Sequence, residues 1–192
     1  MTRGFTLPSE GEAHTLYLTQ TQRDQMFALC EGILSADWDR HWRAAGAVCL
    51  ALGTAARQEA ILTLKWSQVD FDAGVIDYRE PDRVVSNKRR VAVPMSEEVR
   101  KVLKLLEKKT GASKSGLVLG HAGTVRSGFD RIRHQTGVPW CRFRTLRTTW
   151  ASLAAQRGVD LFIIGEVLGD DIETVRKHYA HLHPTHLRSA FQ

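Results

Sequence analysis

Val75-Ile76-Asp77-Tyr78-Arg79-Glu80-Pro81-Asp82-Arg83-Val84-Val85-Ser86-Asn87-Lys88-Arg89-Arg90-Val91-Ala92-Val93-Pro94 is the stretch on which the fold class turns. Gly74, Pro81-Asp82 and Asn87-Lys88 punctuate three short runs of β-branched residues. They predict strands at 75–79, 83–86 and 91–94, joined as a small antiparallel meander. On both sides the period changes to that of helices. Upstream, Thr19 and Gln22 have the spacing of a capping box, which predicts a helix running to near Gly32. A second helix follows Ser35-Ala36-Asp37 and carries Trp42, Ala45, Val48, Cys49 and Leu52 on its apolar positions. A third is expected from Gln58 to about Trp66, ending near Asp70. Downstream, Ser96-Glu97-Glu98 opens a helix that stops at Gly111, and Leu117-Val118-Leu119 reads as a short strand or turn. From Thr124 the chain is helical again, with breaks at Gly137-Val138-Pro139, Gly158 and Gly169-Asp170-Asp171. The expected class is α+β and mainly α-helical, with helices around a small three-stranded antiparallel sheet. Residues 1–17 read as a flexible lead-in and 18–192 as one domain.

Composition narrows the function classes. The chain has 192 residues, 43% hydrophobic and 25% charged, a mixture suited to one globular domain with a core. No apolar run reaches the roughly 18 residues of a membrane span, and Met1-Thr2-Arg3-Gly4-Phe5 is not the start of a secretory leader, so no membrane partner and a cytoplasmic address are expected. Cys30, Cys49 and Cys141 are widely spaced and predict buried reduced thiols rather than a disulfide framework. Trp66, Trp150 and Leu64 read as core. His178, His181, His183 and His186 lack the companions of a metal site, and a Gly-rich phosphate loop is missing, so neither metal nor cofactor is expected.

The net charge of +6 is unevenly distributed. Arg83, Lys88, Arg89 and Arg90 surround one turn, and Arg126, Arg131, Arg133, Arg142, Arg144 and Arg147 crowd a second stretch. Guanidinium forks match phosphate oxygens, and the clusters fit either a nucleic-acid contact or an ordinary solvated surface.

Four landmarks follow one another in register. Thr54-Ala55-Ala56-Arg57 leads into Ile61-Leu62, Leu64, Trp66 and Val69-Asp70. The basic turn Asn87-Lys88-Arg89-Arg90 precedes a strand ending Val93-Pro94. Arg144-Thr145-Leu146-Arg147-Thr148 opens an apolar helix. Leu168-Gly169-Asp170 is followed nine residues later by Tyr179, with Ala180-His181 after it. Together they resemble the catalytic domain of the tyrosine recombinases, the phage-integrase family. There, Thr-Gly-x-Arg, a hairpin lysine, His-x-Leu-Arg-His and Leu-Gly-His…Tyr occupy these places. The resemblance spans about residues 18–190.

That resemblance implies DNA strand breakage and rejoining without metal or cofactor. Tyr179 would attack a backbone phosphate and form a 3′-phosphotyrosyl link, releasing a 5′-hydroxyl. Arg57 and Arg147 would hold the phosphate oxygens, and Lys88 would protonate the leaving oxygen. The chain departs from the pattern at Ala55 for Gly, at Ala60 for Glu (Glu59 standing one place early), at Arg144 for His and at Asp170 for His or Trp. Arg144 keeps a cation but loses a group that exchanges protons near neutrality. An ionised Asp170 repels a phosphate, and an Arg144–Asp170 pair would quiet that repulsion. The site residues implied are therefore Arg57, Lys88, Arg144, Arg147, Asp170 and Tyr179, and the departures predict a weakened recombinase or integrase activity. The alternative is a degenerate integrase-like module that binds DNA or joins an assembly. Double-stranded DNA is the expected partner, with a homo-oligomer on DNA formed through the tail after Tyr179. The additional N-terminal DNA-binding domain of the family is expected to be absent, with weak, salt-sensitive binding as the consequence.

Overall fold

A computed structural model describes residues 16–36, 39–79, 89–113, 116–121 and 123–184. Eight α-helices and a three-stranded sheet are placed among them: α1 Gln20–Ser35, α2 Trp42–Thr54, α3 Gln58–Leu62, β1 Val69–Asp70, β2 Val75–Asp77, β3 Ala92–Pro94, α4 Glu97–Thr110, α5 Arg126–Gln135, α6 Phe143–Gln156, α7 Leu161–Leu168 and α8 Ile172–Tyr179. The helix-rich α+β class is as the sequence predicts.

α2 is the axis of the domain. Every residue from Ala44 to Leu52 is buried, because α1, α4, α5 and α6 all pack around it. Close approach is possible because the helix is built from small residues. At Gly53 a Cβ would stand 2.4 Å from Val99 Cγ2 on α4, so only a bare backbone fits there. α1 starts at the predicted capping box: Thr19 Oγ1 accepts from Gln22 N at 3.2 Å, and Gln22 Oε1 accepts from Thr19 N at 3.0 Å. It runs one turn beyond Gly32. α4 is capped by Ser96 and stopped by Gly111 at φ +76°, and turns Val99, Val102, Leu103 and Leu106 inward. Cys30, Cys49 and Cys141 are buried free thiols, as expected.

Two expectations need correction. The third helix ends at Leu62, not near Trp66. Beyond Thr63 the backbone is drawn to the 116–118 segment: Val118 N donates to Leu64 O at 2.8 Å, and Trp66 N to Gly116 O at 3.0 Å. These bonds compete with helix continuation and leave only a single 3₁₀ turn at Trp66–Gln68. The sheet also differs in membership. Its order is β1-β2-β3, antiparallel, with Val69 opposite Ile76 and Ile76 opposite Val93. The first strand thus comes from Val69–Asp70, which the sequence assigns to the end of a helix. Asp70 Oδ1 accepts from Asp72 N and Ala73 N at 2.9 and 2.7 Å, folding a tight turn that Gly74 closes at φ +66°. The predicted strand at 83–86 lies outside the described residues.

Leu64 and Trp66 are core, and Trp66 Nε1 donates to Thr110 Oγ1 at 3.0 Å. Trp150 is half-buried: it packs against a second apolar cluster and also lines a surface groove between α1, α2, α6 and the start of α4. This smaller second cluster (Ala55, Ala151, Ala154, Ala155, Ile164, Leu168, Val175 and Tyr179) fastens α7 and α8 to α6. The site lies along the seam between this cluster and the main core. No helix among the described residues is long and apolar enough to cross a membrane.

Candidate active site

Each side chain at the seam is delivered by the end of an element. α2 terminates at Ala55, a residue in left-handed conformation at φ +56°. A β-carbon is disfavoured there by about 1–2 kcal/mol. The turn is retained because its carbonyl is needed: Arg147 Nη1 on α6 donates to Ala55 O at 2.8 Å. The chain reverses through Ala56 and Arg57 becomes the N-cap of α3, with its side chain aimed across the seam. Arg57 Nη1 donates to Arg89 O at 2.6 Å, which ties α3 to the approach of β3.

Gly169 governs the far side of the pocket. It caps α7 in the left-handed region at φ +60°, and a Cβ there would lie 2.7 Å from Arg89 O. Only glycine lets the α7–α8 turn approach the strand this closely. Asp170 follows at once and is thereby presented to both arginines. Its Oδ1 accepts from Arg57 Nη2 at 2.6 Å and its Oδ2 from Arg147 Nη2 at 2.9 Å. Arg147 Nη2 also donates to Leu168 O. The carboxylate is a single anion shared between two guanidinium forks.

The Arg144–Asp170 bridge expected from sequence is therefore not formed. Both oxygens of Asp170 go to Arg57 and Arg147, whose side chains are 27% and 13% exposed, while Arg144 lies exposed on the first turn of α6. A charge pair gains more where water is scarcer, and the sheltered forks win the carboxylate.

Tyr179, the last residue of α8, is 8% exposed and packed in the second cluster. Burial pushes its phenol above the ordinary value, and the Asp170 charge adds to that. The neighbouring Thr148 hydroxyl and the Arg147 and Arg144 charges act in the opposite direction. The tyrosine therefore shares its surroundings with three of the predicted site residues. Arg147 is pulled below its ordinary value by burial first and by Arg57 second, with Asp170 opposing, and it remains a cation.

The structure thus brings together Arg57, Arg147, Asp170 and Tyr179 and sets Arg144 at the edge. Lys88 lies outside the described residues. Thr148 closes the Arg144–Thr148 landmark but is not among the site residues that the sequence names, because a threonine on an apolar helix carries no signal of its own. Glu59, one place early, is turned to Arg90, with 3.6 Å between its carboxylate and the guanidinium. Arg126, Arg131 and Arg142 are exposed around α5 and the start of α6, whereas Arg133 is turned inward to the carbonyls of Pro139 and Cys141. Among the described residues no group of three or more His, Cys, Asp or Glu side chains is placed to hold a metal ion.

Comparison with known proteins places the chain in a family. The family model for the phage integrase family matches residues 17–186. The chain belongs to the phage integrase family, the tyrosine recombinases. It is 30% identical over 152 residues to the integrase of Salmonella phage P22, a match covering 71% of this chain and 38% of that protein. The catalytic domain of bacteriophage HP1 integrase superposes with a TM-score of 0.64 at 23% identity, over 91% of this chain and 92% of that one. XerH site-specific recombinase, solved bound to its palindromic difH substrate after cleavage, superposes with a TM-score of 0.68 at 21% identity, over 95% of this chain and 54% of that one. The chain spans less than half the length of the curated relatives it matches.

Proposed function

We propose that this chain is the catalytic domain of a site-specific DNA recombinase or integrase of a mobile element, breaking and rejoining double-stranded DNA through Tyr179. One observation carries the reading: Arg57 and Arg147, remote in sequence, converge on Asp170, and the charges of Arg147, Asp170 and Arg144 all reach the buried phenol of Tyr179. Arg57 and Arg147 bind the non-bridging oxygens of the scissile phosphate, where negative charge gathers as phosphorus becomes five-coordinate. Arg144, at the edge, supplies the third cation. The Tyr179 oxygen forms a bond to phosphorus as the bond to the 5′ oxygen breaks. The phenolic proton passes to solvent and Lys88 protonates the departing 5′ oxygen, giving the 5′-hydroxyl. Rejoining is the reverse with a second 5′-hydroxyl. A tyrosine phenol is protonated at neutral pH and burial raises it further, so the nucleophile is activated only when substrate and cations are assembled around it.

XerH in its DNA complex has this fold, and the exposed Arg126, Arg131, Arg142 and Arg144 give this chain a cationic face for the duplex backbone. Further copies assemble on DNA through the tail after Tyr179, which carries Leu187 and Phe191. A cytoplasmic location accords with DNA as the substrate.

A nicked suicide DNA duplex tests the reading. A covalent protein–DNA adduct is expected from the wild type and is lost in Tyr179→Phe. A second reading, a non-catalytic DNA-binding or assembly module, is favoured by Asp170 sitting between the two arginines. DNA binding with no adduct at any DNA concentration would establish it.

A further inference from the structure

We infer that Asp170 is an intramolecular competitor for the phosphate, a carboxylate that holds the anion site between Arg57 and Arg147 until an incoming oxyanion displaces it. The inference rests on the recombinase reading only for the identity of the natural anion. The geometry itself is that of an occupied oxyanion site. One carboxylate spans two guanidinium groups, with 2.6 Å from Oδ1 to Arg57 and 2.9 Å from Oδ2 to Arg147. Each fork also donates to main-chain oxygens: Arg57 Nη1 to Arg89 O, Arg147 Nη1 to Ala55 O and Arg147 Nη2 to Leu168 O. The two forks are therefore held in position by the backbone, independently of the anion, and a phosphate entering between them must take over the bonds that Asp170 makes.

The carboxylate is also built to leave. It stands in a turn, between the left-handed Gly169 and the N-cap Asp171, not inside a helix. Its side chain is 28% exposed, so a path to water exists. Asp171, not Asp170, supplies the cap of α8 by accepting from Thr174 N at 2.9 Å, so releasing Asp170 costs that helix nothing. A bare pair of sheltered, neighbouring cations would repel one another; Arg57 already pulls Arg147 below its ordinary value. Asp170 relieves that repulsion in the resting domain. The consequence is selectivity for substrate that brings enough additional contacts to offset the exchange: a long duplex held by the cationic face displaces the carboxylate readily, whereas free phosphate does so only weakly.

The test titrates inorganic phosphate into wild type, Asp170→Asn and Asp170→His by calorimetry, with thermal melting followed in parallel. Both variants are expected to bind phosphate at least tenfold more tightly than wild type and to gain more melting temperature from it. The gain is expected to vanish in Asp170→Asn combined with Arg147→Ala. Phosphate affinities within twofold of one another would overturn the inference. So would failure of both single variants to fold, since a displaceable carboxylate is not indispensable for folding. Phosphate gain without a Tyr179 adduct in any variant would leave the inference standing and remove the recombinase reading. An adduct without phosphate gain would do the reverse.

Discussion

Arg147 on α6 donates a 2.8 Å hydrogen bond to the carbonyl of Ala55, the left-handed residue that ends α2, across 92 positions of sequence. The same guanidinium reaches Leu168 O and Asp170, and so knots three separate helix ends into one pocket. The arginine is both a candidate phosphate ligand and a clasp between the two apolar clusters.

Arg147→Ala is accordingly expected to damage stability as well as chemistry. It strands two carbonyls and half of a carboxylate's bonding in sheltered positions, a cost of about 2–4 kcal/mol. Urea unfolding measures the first effect. Loss of a fixed cation at the phosphate is expected to lower the rate of adduct formation by about a thousandfold. Arg147→Lys restores much of the charge but not the three-way bonding, so it recovers part of the activity and little of the stability.

Gly169→Ala is expected to be more severe than a one-carbon change suggests. The left-handed backbone alone disfavours alanine by about 1–2 kcal/mol, and the new methyl would sit 2.7 Å from Arg89 O. The turn must open, which withdraws Asp170 from both arginines. A lowered melting temperature, together with altered phosphate binding, checks this.

Alkali is expected to destabilise the fold from about pH 10, the ordinary phenol value. Burial raises both Tyr78 and Tyr179 above it. The unfolded chain then releases these protons first, so stability is full below that pH and falls as pH rises towards the folded-state values. Tyr78→Phe flattens the fall, at the loss of the 3.0 Å contact between Tyr78 Oη and Thr54 Oγ1. Denaturant midpoints at pH 8, 10 and 11 provide the measurement.

Thiol chemistry offers an independent check of the core. Burial pushes the Cys141 thiol up to about 11 and Cys49 well above its ordinary value. Because the thiolate is the reactive form, neither is expected to be alkylated at pH 8 until the chain unfolds. Prompt modification of either in the native protein would contradict the packing of α2 or of the α5–α6 turn.

DNA binding is expected to weaken steeply with salt, with a log–log slope of about −0.9 for each phosphate neutralised. Arg126→Ala, an exposed change, is expected to reduce that slope by about one without altering the melting temperature. Arg133→Ala is expected to do the opposite, because its guanidinium is committed to the carbonyls of Pro139 and Cys141.

What was legible in the sequence is what depends on neighbours along the chain. The Thr19 capping box, the Ser96 start and Gly111 stop of α4, and the breaks at Gly158 and Gly169 are local, since caps and left-handed turns are decided within a few residues. The registers of Arg57, Arg144-to-Arg147 and Leu168-to-Tyr179 were legible for the same reason, and they picked out Arg57, Arg147 and Asp170, which the structure brings into hydrogen-bond contact. Tertiary structure alone decided the rest. Val69–Asp70 became a strand rather than a helix end because β2 offered partners for its backbone and the 116–118 segment drew away the residues before it. Asp170 chose Arg57 and Arg147 over Arg144 because an ion pair's strength depends on how far water is excluded around it, and exclusion is a property of the packed domain.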